Sequence, residues 1–146
     1  MDRQLISSGA AFEERVGYSR AVRVGSSVWV SGTAPIMPGD ADPPSDAYEQ
    51  ASICLRIIER ALAEAGASLD DVVRRRTFTV DGARMNRPHG EGPAWFAKSC
   101  PASLGCRIAG LTRPELLVEV EVAAVKGAHA GIEWVGPDAA DPLDRA

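Results

Sequence analysis

Val118 to Val125 reads Val-Glu-Val-Glu-Val-Ala-Ala-Val. A helix would scatter these valines around its circumference, so the period of two demands a strand. Val118, Val120, Val122 and Ala124 then share one side, and Glu119, Glu121, Ala123 and Val125 the other. A second run, Ala102 to Ile108, alternates as well, with Ala102, Leu104, Cys106 and Ile108 opposed to Ser103, Gly105 and Arg107. The break between the runs, Leu111 to Glu115 around Pro114, is short enough for an antiparallel connection. That connection predicts Arg107 across from Glu119 and Gly105 across from Glu121, with the missing side chain of Gly105 leaving space above Glu121. The face carrying Ser103, Gly105, Arg107 and both glutamates is either solvated or a place where ligands or subunits meet.

The length of 146 residues allows one domain with a real core. No apolar run approaches a membrane span, and the opening MDRQLISSGA lacks the apolar centre of a signal peptide, which places the protein in the cytoplasm. Cys54, Cys100 and Cys106 have no metal-ligand spacing, and an odd count argues for reduced thiols. A net charge of -4 argues against a nucleic-acid partner, which is normally bound through a basic surface.

Along the chain, Arg3 to Ser7 has the composition of a short strand, and Gly9 to Gly17 that of a loop. Two β-rich runs flank Gly25-Ser26 and predict a hairpin, Ala21 to Val24 with Ser27 to Thr33. Pro35 to Ser45 is loop. Ala47, Ala51, Cys54, Leu55, Ile58, Ala61, Leu62 and Ala65 then mark the apolar stripe of a helix over Asp46 to Ala65, stopped by Gly66. Asp70-Asp71 reads as turn chemistry before a strand over Val72 to Val80. In that strand alternation sends Arg75 away from Arg74 and Arg76, so the triplet does not make one basic patch. A second helix, irregular at its start, is expected within Gly82 to Ser99, with His89 on a surface loop, and Trp29 and Trp95 are expected as packing residues. Ile132 to Val135 suggests an edge strand in an otherwise loose tail.

The order β-β-α-β-α-β-β predicts an α+β fold, a mixed sheet with two helices on one face. The other face must then be polar or be buried by another subunit. The domain is expected to span 1–126, with 127–146 a C-terminal tail.

Gly17-Tyr18-Ser19-Arg20-Ala21, Val30-Ser31-Gly32, Leu69-Asp70-Asp71-Val72-Val73, Pro101-Ala102 and Leu117 to Val125 occur in an order that resembles the RidA/YjgF family of reactive-intermediate deaminases, also known as endoribonuclease L-PSP. The resemblance implies a chorismate-mutase-like homotrimer with a small-molecule pocket at each subunit interface, hydrolysing imines or enamines without a cofactor. It implies that Glu121 handles the hydrolytic water and that Tyr18, Ser31 and Gly32 line the pocket. The family's carboxylate-binding arginine falls at Ser103 and its pocket cysteine at Gly105. A hydroxyl cannot replace a bidentate guanidinium, so the usual 2-imino acid is not the expected substrate. Arg107 either supplies the missing guanidinium or pairs across strands with Glu119, which reads as a structural residue, and Glu121 is either an acid/base or an ion-pair member. A non-catalytic metabolite-binding member is the alternative, and ribonuclease activity conflicts with the acidic balance.

Overall fold

A computed structural model of the chain describes residues 2–80, 95–133 and 135. Its elements are β1 (Arg3–Ile6), α1 (Ala11–Val16), β2 (Ala21–Val24), β3 (Ser27–Thr33), α2 (Ala47–Glu64), β4 (Val72–Val80), β5 (Ala102–Ile108) and β6 (Val118–Val125). The strands form one mixed sheet in the order β1-β2-β3-β6-β4-β5, parallel only between β4 and β5. The expected α+β class is the observed one. The hairpin of β2 and β3 and the limits of β4 are as the sequence predicts, and Gly25 takes the positive φ of 60° that the hairpin turn requires.

The apolar stripe of α2 is buried from Ala47 to Leu62 and packs with Val28, Val30, Val118, Val120, Val122 and Ala124 in one core. The helix begins where the Asp46 carboxylate accepts from Glu49 N at 2.9 Å. It ends in a Schellman motif: Ala67 N donates to Leu62 O at 2.8 Å and Gly66 N to Ala63 O at 2.9 Å, with Gly66 at φ 74°. Gln50 is an unexpected member of the buried face. Its amide nitrogen donates to Pro44 O (2.7 Å) and Glu115 O (2.9 Å), and its carbonyl accepts from Leu117 N (2.8 Å). This amide fixes the approach to β6 against the helix.

The connection predicted between β5 and β6 is overturned. β4 lies between them, pairing with β5 on one side and β6 on the other. The four buried side chains of β6 suit a central strand with both edges bonded, whereas β5, exposed along most of its length, takes the edge. Nine residues join β5 to β6, ample to pass over one strand at a spacing of about 4.8 Å. Arg107 therefore lies beside Thr79, and Glu119 faces Phe78, so the expected Arg107–Glu119 pair does not form.

Two smaller expectations also change. The segment before Gly17, expected as loop, contains the short helix α1. Ile132, Glu133 and Val135 form no strand. The second helix and His89 fall largely in 81–94, outside the described residues. Trp95 and Phe96 pack against the core, whereas Trp29, expected to pack as well, is 49% exposed on the face away from α2, and the Arg75 guanidinium sits 5.1 Å from the Phe96 ring centre.

At the start of β4, buried Asp71 accepts from Ser68 N (3.0 Å) and Gly127 N (2.9 Å) and lies 2.6 Å from His129 Nδ1. Burial pushes its pKa up, but the bonds from His129, Ser68 and Gly127 outweigh that and hold it below the ordinary carboxylate range.

Gln50→Leu preserves volume but strands the part-buried Leu117 N–H and Glu115 C=O, so we expect a loss of about 1–2 kcal/mol in urea denaturation. A midpoint equal to that of the wild type would refute the pinning role of Gln50.

Candidate functional site

The face of the sheet turned away from α2 can be read row by row from the strand registers. Trp29, Ala123, Arg74 and Ala102 form one row, Glu121, Arg76 and Leu104 the next, and Glu119, Phe78 and Cys106 a third. Ser31 and Gly32 interrupt the β3–β6 ladder: Val30 pairs with Val122 and Thr33 with Val120, so two residues oppose Glu121 alone. This is a β-bulge, which re-aims the chain next to both glutamates.

At the bulge the bare Gly32 leaves a niche, and the end of the Glu119 side chain fills it. A Cβ there would collide with Glu119 Oε1 and lie 3.2 Å from Cδ. Burial raises the pKa of Glu119, the negative charge of Glu121 raises it further, and Arg20 partly opposes both. Glu121 itself forms an ion pair with Arg76.

Behind the bulge, Arg20 is 3% exposed and donates from Nη1 to Gly32 O (3.1 Å) and Thr33 Oγ1 (3.0 Å). Its Nε is 3.9 Å from the Glu13 carboxylate. Glu13 in turn accepts from Ser7 Oγ (2.6 Å), Ser8 N (3.1 Å) and Ser8 Oγ (2.5 Å). Burial pushes the Glu13 pKa up, but these bonds and the charge of Arg20 bring it below the ordinary value. Tyr18 packs edge-on to Phe12 at 6.3 Å, and the Arg20 guanidinium lies 5.9 Å from its ring centre. The Ser31 hydroxyl donates to Ser19 O at 2.8 Å.

Tyr18, Ser31 and Gly32 are therefore connected through Arg20 or the bulge to Glu119 and Glu121. Ser103, Gly105 and Arg107 are not brought to them. All three are exposed on β5 and, by register with Arg75, Thr77 and Thr79, point to the opposite face from Glu121. The Ser103 hydroxyl donates to Pro101 O at 2.9 Å, and the space beside Gly105 is open within 4 Å. Period-two alternation correctly separated the two sides of β5, but the assumed pairing joined the wrong side to the glutamates.

Residues 8–126 match the family model described as Endoribonuclease L-PSP. The chain belongs to this family, the RidA/YjgF family. It is 34% identical over 113 residues to a RutC family protein of Pyrococcus abyssi, covering 75% of this chain and 86% of that one. It is 28% identical over 126 residues to the 2-iminobutanoate/2-iminopropanoate deaminase of Mus musculus, covering 86% and 93%. Among solved structures, a YjgF/YER057c/UK114 family member from Mycobacterium tuberculosis superposes with a TM-score of 0.72 at 39% identity, covering 85% of this chain and 99% of that one.

Among the described residues of this RidA/YjgF chain, no three His, Cys, Asp or Glu side chains cluster as a cation site, and no helix is long and apolar enough to cross a membrane. Burial pushes the Cys54 thiol up to about 12, so it packs as an inert core group. Sequence reasoning missed Arg20 and Glu13. Arg20 stood inside a quoted motif, but nothing in the spacing of Glu13 marks it as its partner.

Gly32→Ala should expel the Glu119 carboxyl from its niche towards water and lower its pKa, while global stability changes by less than about 1 kcal/mol. Side-chain carboxyl NMR titration checks this; an unchanged Glu119 titration would contradict the proposed contact.

Proposed function

We propose that this chain is a hydrolase of a small imine or enamine, acting as a homotrimer with pockets between subunits, and that Glu119 is the proton-transfer group. The observation that carries the reading is the half-buried Glu119 carboxyl with a raised pKa, seated against the bare Gly32. A carboxyl poised above its ordinary pKa can hold a proton for nitrogen or take one from water. Glu121, assigned this role by the motif, is already engaged by Arg76. In the proposal its part is to raise the pKa of its neighbour.

The chemistry balances without a cofactor. An enamine first takes a proton at carbon and gives one up from nitrogen, becoming an imine. Water then adds to the C=N carbon, giving its proton to the Glu119 carboxylate. Glu119 returns that proton to nitrogen to give the carbinolamine, then carries the hydroxyl proton to the amino group, and the C–N bond breaks to leave a carbonyl compound and ammonia. Support for this reaction class comes from the similarity to the mouse deaminase.

Ser103 in place of the family's arginine supports a substrate other than a 2-imino acid. Ser103, Gly105 and Arg107 lie on the edge strand and away from Glu119, so within one subunit they cannot line its site. A neighbouring copy laid against the same face would let them do so. Trp29, 49% exposed, and Leu104, 43% exposed, give that face an uncovered apolar component.

The catalytic assignment is tested with 2-iminobutanoate generated in solution. Wild type should be slow, Ser103→Arg faster by about tenfold or more, and the double variant with Glu119→Gln slower than Ser103→Arg by about 10²-fold. Activity that survives Glu119→Gln would eliminate Glu119 as the proton carrier. As a base, Glu119 must be ionised, so kcat/KM should rise with pH through its raised pKa. Glu121→Gln removes one cause of that elevation and should move the rising limb to lower pH.

For the assembly, light scattering should return three copies per particle. A monomer at working concentration would sink the inter-subunit pocket.

A further inference from the structure

On the side of the sheet covered by α2, a recess of about 530 Å³ lies between the C-terminal half of the helix and the connection that follows β3. One wall is the helix stripe Ile57, Arg60, Ala61 and Glu64, whose spacing of three and four residues keeps it on a single face. The facing wall is built on Ile36, 56% exposed, and Met37. Buried Arg20 also borders the recess, with its charge met by Glu13. A volume of this size is that of a small-molecule site. Because its walls stand on the helix side, copies laid together across the helix-free face leave it open.

Arg60 and Glu64 are both exposed, and neither makes a hydrogen bond or ion pair with the described residues. The rim thus carries one unpaired cation and one unpaired anion, four residues apart on the same helix face. We propose that the recess binds a zwitterionic dipeptide with apolar side chains, its carboxylate on Arg60 and its ammonium on Glu64. Four residues of helix advance about 6 Å, and the two ends of an extended dipeptide stand about 6–7 Å apart. Successive side chains of an extended peptide point opposite ways, so one meets Ile57 and Ala61 while the other meets Ile36 and Met37. A single amino acid brings one side chain to two walls, and its charges are closer together than the two anchors. A simple anion or cation would find one partner and one like charge.

The dipeptide lies along α2 with its direction opposed to that of the helix. The small side chain of Ala61, between the two charges on the stripe, keeps the middle of that wall low enough for the ligand to settle. Exposed charge pairs are individually weak, so each end adds no more than about fivefold in affinity, and the apolar walls carry the larger share. The site uses neither glutamate of the far face, and its binding does not depend on the hydrolase reading.

Isothermal titration of the intact protein with leucyl-leucine, with its N-acetylated and C-amidated forms and with free leucine tests the site. Leucyl-leucine should bind saturably, each capped form about three- to fivefold more weakly, and leucine at least about tenfold more weakly. Arg60→Gln should lower the affinity for leucyl-leucine to that of the amide while leaving the amide unaffected, and Glu64→Gln should do the same with the acetylated form. Such matched losses assign each charge to its partner. Both positions are exposed, so neither change disturbs the core, and Arg56→Gln, exposed on α2 away from the recess, should leave leucyl-leucine binding unaltered. Ile36→Asp on the open wall should weaken it by about tenfold or more. Absence of saturable leucyl-leucine binding, leucine or either capped form binding as tightly, or an unaltered affinity in Arg60→Gln would overturn the proposal. Imine hydrolysis is not part of this readout, so the site can fail while the Glu119 mechanism stands, and the reverse.

Discussion

Successive side chains of a strand cannot face the same way, and in β6 every second one, four in all, is buried under α2. That single constraint fixes Glu119 and Glu121 on the far face and makes β6 a central strand. Every contact of the site depends on it. A register slip of one residue would bury both carboxylates beneath the helix and expose the valines, so the core and the site are specified by the same parity.

The electrostatics of the far face follow from how its charges are shared. Arg76 neutralises Glu121, whereas Glu119 faces Phe78 and meets Gly32. Two glutamates on the same face of one strand thereby acquire different environments. Behind them, the buried Arg20–Glu13 pair holds the carbonyl of Gly32 in place from the other side of the bulge. Removing one member of such a pair leaves a buried charge uncompensated, which makes this support sensitive to single substitutions.

Local pattern made most elements legible. The hairpin, the long helix and β4 each carry their own periodicity and stop residues, so their limits could be read from a few neighbouring positions. The pairing of β5 with β4 could not, because nothing within Ala102 to Ile108 records which strand will lie beside it; that choice is made by the depth to which β6 is buried. The helix α1 was hidden for a different reason, since six residues show less than two turns of periodicity. At the candidate site, alternation placed Glu121 on the far face and the motif singled out Ser31 and Gly32. The motif favoured Glu121 and left Glu119 structural; alternation could not weigh the two, because both share a face and differ only in what the bulge and β4 place next to them.

The bonds that Asp71 accepts from beyond β6 bear on where the folding unit ends. The family match closes at residue 126, and the last strand one residue earlier, yet Gly127 and His129 supply two of the groups that satisfy a buried carboxylate at the head of β4. A chain severed after Lys126 would retain all six strands and still leave that carboxylate short of donors. Loss of the final turn would thus be felt some 56 residues upstream in sequence, at the opposite end of the connection it fastens.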